Sequence, residues 1–241
     1  MPEEADITHD TLLRGRVRLL QPRHGFRSSL DPVLLAGFIG PPFGDFLDIG
    51  CASGALSFLL LAEDANARGV GVEIQPRLAA LAEQGCAANG FVHRFRVVTG
   101  DIRAKIALAA QAFDLVATNP PFRPVGDGVL PASSEKALAN HEVTLALSEW
   151  LDAAVAALRP DGRLATIFPF DRSAELRAGM AAHGFSVSRS REVVPRAGDV
   201  PNRILVEAKR SSENAPHEPP LVVHDGSGYS AEVRRMLGEK T

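Results

Sequence analysis

The chain has 241 residues, 45% of them hydrophobic and 23% charged, with a formal net charge of −3. This is enough chain to bury the core of one large α/β domain. The balance excludes a protein coated with positive charge, and no apolar run approaches the roughly 20 residues of a membrane span. MPEEADITHD is acidic and polar rather than a basic region followed by an apolar stretch, so a cytoplasmic protein is expected. Cys51 and Cys86 have neither metal-ligand spacing nor a partner framework, and both are expected to be small core residues; no metal site is read from the chain.

In chain order, Arg14, Arg16, Arg18, Arg23, His24 and Arg27 crowd a short N-terminal stretch. Two readings fit: a basic face, or a solvated turn paired with nearby acids. DPVLLAGFIG then reads as a short helix with Asp31 as N-cap and Pro32 at the first helical position. From Phe43 onward, short β-branched runs alternate with Ala/Leu segments of helical period. GDFLDIG is a first buried strand, ALSFLLLAEDA its helix and RGVGVEI a second strand. PRLAALAEQGCAANG is a helix opened by Pro76 and closed by Gly90. FRVVTGD and FDLVATNPPF are the third and fourth strands, and VTLALSEWLDAAVAALRPDG is a long helix closed by Pro160 and Gly162. RLATIFPF, the helix AELRAGMAAHGF, and a final hairpin of SVSRSREVVP and NRILVEAKR complete the rhythm. The fold class is α/β: a doubly wound, mostly parallel, seven-stranded Rossmann-like sheet with an antiparallel C-terminal edge. The expected organisation is an extension at 1–42, the main domain at 43–210 and a tail packed on the core at 211–241.

In such sheets ligands bind beyond the carboxyl ends of the strands at the switch point. The loop after the first strand holds Asp48, Gly50, Cys51, Ala52, Ser53 and Gly54. Its glycines permit tight curvature, and the amides that open the next helix can meet a carboxylate. The spacing does not fit G-x-G-x-x-G, which disfavours a nicotinamide dinucleotide. Glu73, ending the second strand, can accept both hydroxyls of a ribose. Asp101, in VTGDI, is placed to accept the exocyclic amine of an adenine or to cap a helix.

The fourth strand ends in Asn119, Pro120, Pro121 and Phe122. Two prolines cannot continue the ladder. The Pro120 carbonyl and the Asn119 side-chain oxygen can together accept both hydrogens of an NH2 group, while the Phe122 ring offers a stacking face. A conjugated amine is a poor nucleophile because its lone pair is spread into the ring. Acceptors that localise it, with the nitrogen held in line with a methyl sulfonium, supply what an in-line methyl transfer needs.

DIGCASG, VGVEI, VTGDI and TNPPF, in this order, resemble the amino-methyltransferases that carry N-P-P-[FY]. LLRGRVRLLQPRHGFRSSLDPVLLAGF and LVVHDGSGYSAEVRRML extend the likeness to the bacterial tRNA1(Val) adenine-37 N6-methyltransferases over nearly the whole chain. The resemblance implies S-adenosylmethionine as cofactor and an RNA substrate, tRNA above all; no obligatory protein partner is evident in the sequence. It implies that Gly50 and Gly54, with Asp48, Cys51, Ala52 and Ser53, line the cofactor. Glu73 and Ile74 would meet its ribose, Asp101 and Ile102 its adenine, Asp31 would help close the pocket, and Asn119, Pro120, Pro121 and Phe122 would hold the target base. Ala52 departs from the family's middle glycine and narrows the space near the amino-acid end of the cofactor. Phe122 stands where many adenine enzymes have Tyr, and Phe is also frequent in relatives that methylate guanine amines of ribosomal RNA. The glutamine methyltransferases of release factors share N-P-P-Y, so those two acceptors stay open beside tRNA adenine. The segment after the motif, RPVGDGVLPASSEKALANHE, reads as a substrate flap whose Arg123 and Lys136 can meet phosphate, and His141 reads as a solvated or capping residue.

Overall fold

A parallel strand must be covered on both faces, and the alternation of buried strands with Ala/Leu helices meets that demand. The computed structural model describes residues 6–104, 110–120, 145–210 and 217–239. Two strands, β1 (Ile7–Leu12) and β2 (Val17–Pro22), pair as an antiparallel hairpin and precede α1 (Asp31–Ile39). The winding follows as β3 (Asp45–Ile49), α2 (Ala55–Glu63), β4 (Arg68–Glu73), α3 (Pro76–Ala88), β5 (Phe95–Thr99) and β6 (Phe113–Thr118). It continues with α4 (Leu147–Ala157), β7 (Leu158–Pro169), α5 (Ser173–Ala182), β8 (Ser186–Arg196) and β9 (Arg203–Lys209). The end of the described chain is β10 (His217–Asp225), β11 (Gly228–Tyr229) and α6 (Ala231–Met236).

The expected doubly wound, mostly parallel sheet is present, and it extends to nine strands in the order β11-β10-β8-β9-β7-β6-β3-β4-β5. β5, β4, β3, β6 and β7 run parallel; β9 is antiparallel to β7 and to β8, and β10 lies parallel to β8. The chain leaves β3 toward β4 and β5 on one side and returns to β6 and β7 on the other, so the switch point lies between β3 and β6. One apolar cluster joins α1 and α2 to one face of the sheet through Leu34, Phe46, Phe58 and Ile167. A second joins α4 and α5 to the opposite face through Leu47, Trp150, Phe168 and Met180. Among the described residues no helix is long and apolar enough to cross a membrane.

Four local expectations change. The basic N-terminal stretch is a hairpin whose Ile7 and Leu20 pack on Leu78 and Leu81 of α3. Leu30, not Asp31, is the N-cap of α1, and Asp31 sits in the first turn, where its carboxylate meets the helix dipole and Arg203 of β9. The helix preceding β7 stops at Ala157 rather than at Pro160 and Gly162. Leu158 is fully buried and pairs with Phe113, so burial in the sheet takes it out of the helix, and the two breakers fall in the irregular start of β7. Finally, the sheet gains β10 and β11 from a tail in which no strand was read, with Met236 of α6 resting against Gly37 of α1. Cys51 and Cys86 are free and buried, as expected.

Trp150, 1% exposed, is the largest side chain in the cluster that fastens α4 to the sheet. Trp150→Ala is expected to cost about 3–5 kcal/mol in urea denaturation, the penalty of emptying an aromatic site in a packed core; a loss below about 1 kcal/mol would show that α4 is not anchored there.

Candidate active site

Strand register places the carboxyl ends side by side. Ile49 of β3 pairs with Val72 of β4 and with Thr118 of β6, and Glu73 of β4 pairs with Thr99 of β5. The residues that follow therefore form one row: Gly100 and Asp101, then Glu73, then Gly50, then Asn119. Neighbours in that row are set by a strand spacing of about 4.8 Å. The Thr118 hydroxyl donates to the Ile49 carbonyl at 2.9 Å and ties β6 to β3 just below it.

The loop between β3 and α2 is sharply turned. Gly50, Ala52 and Gly54 all have left-handed φ, at 74°, 48° and 91°. For Ala52 this conformation costs roughly 1–2 kcal/mol, which its surroundings offset. Its N–H donates to Glu73 Oε2 at 2.9 Å, and its side chain packs with Phe26 against the cluster of Ile7, Leu20, Leu78 and Leu81. The hairpin thus presses on the loop that departs from the all-glycine pattern. A Cβ added at Gly54 would lie 2.5 Å from Phe58 Cζ, whereas one added at Gly50 meets nothing within 4 Å. The loop is closed on the helix side and open above Gly50.

Glu73 is 5% exposed, and burial raises its pKa. Its two oxygens accept separately: Oε2 from Ala52 N–H and Oε1 from Gln75 N–H at 2.8 Å. The Ile74 N–H also bonds this carboxylate, and the three amides together work against the rise that burial causes. Ile74, directly after it, is among the exposed large hydrophobic residues at 38%. Asp48 lies beneath the loop, 1% exposed, and accepts the Ser57 hydroxyl at 2.6 Å. Its burial pushes the carboxyl pKa from the ordinary 3.8 to about 7, against the lowering effect of Ser57 and with a further push from Glu73.

Asp101 is gripped by Arg103, whose Nε lies 2.9 Å from Oδ1 and whose Nη2 lies 2.5 Å from Oδ2. That grip holds its carboxyl below the usual range. Its Oδ1 also accepts the Arg103 N–H and its carbonyl the Ala104 N–H, so the alternative of a capping role is realised as a turn. Arg103 reaches on to Glu149 of α4 at 3.5 Å. Nothing in the residue pattern of VTGDI announced this arginine. Asp31 is joined to Arg203 at 3.3 Å, on the far side of β7 from the row.

The side-chain oxygen of Asn119 is buried and has no hydrogen-bond partner among the described residues. An orphaned buried acceptor costs about 1–3 kcal/mol, and Asn119 follows Thr118, the residue paired with Ile49 just before Gly50. Pro120 is described and buried, while Pro121, Phe122, Arg123, Lys136 and His141 lie outside the described residues. The N-terminal arginines are largely engaged: Arg14 with Glu239, Arg16 with Glu63 and Arg27 with Asp10. Of the two readings for that stretch, pairing with nearby acids holds for these three. No group of His, Cys, Asp and Glu suited to a metal ion occurs among the described residues.

The family model of the methyltransferase small domain matches residues 31–175. A Porphyromonas gingivalis protein named tRNA1(Val) (adenine(37)-N6)-methyltransferase is 34% identical over 214 residues, covering 84% of this chain and 83% of its own length. A Dickeya chrysanthemi protein of the same name is 29% identical, with 80% of this chain and 76% of its own length covered. A crystal structure of a "predicted O-methyltransferase" from Agrobacterium tumefaciens matches with a TM-score of 0.70 at 21% identity, over 86% of this chain and 94% of that one.

Asp48 gives the site a pH signature. A carboxyl whose pKa rises from 3.8 unfolded to about 7 folded binds more protons in the folded state across that interval. Its stabilising contribution is full below pH 4 and is lost as the pH rises to 7; burial gives Glu73 the same sign. Asp48→Asn removes the titration, so its stability relative to the parent is expected to climb between pH 4 and 7 and to level off above. Paired urea melts across that range check this, and a difference that does not vary with pH would refute the buried, protonated Asp48.

Proposed function

Because the chain belongs to the methyltransferase small domain family, we propose that it transfers the methyl group of S-adenosylmethionine to the exocyclic N6 amine of an adenine in tRNA. The observation that carries this reading is the buried Asn119 Oδ1, without a hydrogen-bond partner among the described residues, set one strand from the open turn at Gly50. An unsatisfied acceptor there is stabilised by an incoming N–H donor, and an exocyclic amine has two hydrogens to offer. The relatives named as tRNA adenine-N6 methyltransferases supply the acceptor class.

The residues present fit the cofactor. Glu73, at the end of β4, would accept from a ribose diol, and its buried position keeps water from competing. Gly50 leaves room for a ligand against the backbone, and Asp48 with Ser57 braces the loop from below. We assign Asp48, Gly50, Cys51, Ala52, Ser53, Gly54, Glu73, Ile74, Asp101 and Ile102 to this end. Asp31 takes a bracing part through Arg203. When bound, S-adenosylmethionine supplies an electrophilic methyl group on a sulfonium.

At the acceptor end Asn119 Oδ1 and the Pro120 carbonyl take the two amine hydrogens, with Pro121 and Phe122 completing the motif. Accepting both hydrogens favours the pyramidal nitrogen over the planar one, so the contact strengthens on the way to the transition state. The surplus proton leaves to water after transfer, and no side-chain base is needed. Residues 43–210 form the transferase unit, 1–42 an extension that braces the cofactor loop, and 211–241 a tail on the core. The reaction belongs in the cytoplasm with its tRNA.

Two variants separate the ends. Asn119→Ala is expected to lower the rate of methyl transfer to unmodified tRNA by about 10²–10³-fold, the usual loss when one preorganised polar group is removed from the transition state, with cofactor affinity unchanged. Glu73→Ala is expected to weaken cofactor binding at least about tenfold, as loss of hydrogen bonds to a charged group does. Calorimetric cofactor titration beside tRNA methylation reads both, and a parallel loss of cofactor binding in Asn119→Ala would remove Asn119 from the acceptor end.

A further inference from the structure

Strand directions put a second group of side chains on the edge that carries Asn119. β8 and β10 run parallel to β7, so their carboxyl ends lie on the same edge of the sheet as those of β3, β4 and β6. There His224 of β10 pairs in register with Arg196 of β8 on one side and with Tyr229 of β11 on the other. Residues paired in register share a face, and this face is opposite to that on which Leu221 and Val223 enter the core. The rings of His224 and Tyr229 are stacked, with centroids 5.1 Å apart and planes inclined by 20°. Tyr229 is the chain's single tyrosine and remains 38% exposed. Arg196 is exposed beside them, and Val200, in the turn from β8 to β9, is 79% exposed. Ile74, Val200 and Tyr229 are three of the four exposed large hydrophobic residues among those described, and all three lie on this one edge.

We infer that the Tyr229–His224 stack, with Arg196 beside it, is an RNA-contact surface on which an unpaired base flanking the methylated adenine stacks. The inference rests on the reading of tRNA as substrate. A pre-stacked ring pair presents an outer face at little entropic cost, every nucleobase has a π-face to lay on it, and a guanidinium alongside can meet the connecting phosphate. β10 is four strands from β6, about 19 Å at the ordinary strand spacing, a span that a short single-stranded segment bridges. Asp199 and Asp225 are exposed at the same turns, so stacking rather than net charge supplies the affinity. The salt dependence of binding contributed by this surface is then shallow.

The test measures KM for unmodified tRNA and, separately, its direct binding by fluorescence anisotropy. Tyr229→Leu keeps apolar bulk in the turn but removes the ring; Tyr229→Phe keeps the ring, and cofactor binding and thermal unfolding report on folding. Tyr229→Leu is expected to raise KM and Kd for tRNA at least about fivefold, with kcat at saturating tRNA and cofactor affinity unchanged, and Tyr229→Phe to behave as the parent. Arg196→Ala is expected to weaken tRNA binding in the same direction. Parent-like tRNA binding in Tyr229→Leu, or equal losses in the Leu and Phe variants, would overturn the stacking surface while leaving the tRNA reading intact. A parent protein that neither binds nor methylates tRNA would overturn both.

Discussion

The carboxylate of Glu73 joins two loops that would otherwise be independent. One oxygen holds the amide of Ala52, in the turn after β3, and the other the amide of Gln75, in the turn after β4. With Gly50 and Cys51 N–H bonded to the Val72 carbonyl at 2.9 and 3.1 Å, the two loops become one rigid rim on the sheet. A carboxylate buried to this degree is costly unless its acceptors are used. The backbone donors of Ala52 and Gln75 answer that demand. Among the described residues, unsatisfied buried polar capacity remains at the Asn119 side-chain oxygen, just past the end of β6.

The rest of the molecule supports that rim. The two apolar layers fix the strands, and the strands fix the row from Asp101 through Glu73 and Gly50 to Asn119. In the turn after β3, Ala52 occupies left-handed space and is held from outside by the N-terminal hairpin. The hairpin and the turn after β3 are thus mechanically linked. On the other side, the Asp31–Arg203 pair joins α1 to β9, and the Arg163–Glu207 pair at 3.0 Å, with Arg163 also reaching the Pro42 carbonyl at 2.6 Å, clamps the end of α1 to the sheet.

The alternation of buried runs with Ala/Leu helices was legible because parallel strands leave a continuous apolar signature, and β3 through β9 stand close to where that rhythm puts them. The glycine turn, Glu73 and the Asn119 position were legible for a related reason: ends of parallel strands at a switch point are the one place where such residues fall together. The N-terminal hairpin was hidden because ITHDTL and VRLLQP alternate weakly and the arginines dominate the stretch. Two of those arginines answer acids far along the chain, Arg14 with Glu239 and Arg16 with Glu63, which no local pattern reveals. The tail escaped because HEPPLVVHD carries two prolines that argue against a strand, yet they sit where the register of β10 slips against β8. Pairings of distant residues, such as Arg103 with Glu149, needed the fold before they could be seen.

The identity of the methyl acceptor decides the function. The direct measurement supplies labelled S-adenosylmethionine to the protein with unmodified tRNA, ribosomal RNA and release factor in parallel, followed by digestion and nucleoside and amino-acid analysis. Label recovered as N6-methyladenosine from tRNA is the predicted result. Label recovered only as a methylated guanine from ribosomal RNA, or as methylglutamine from the release factor, would contradict it.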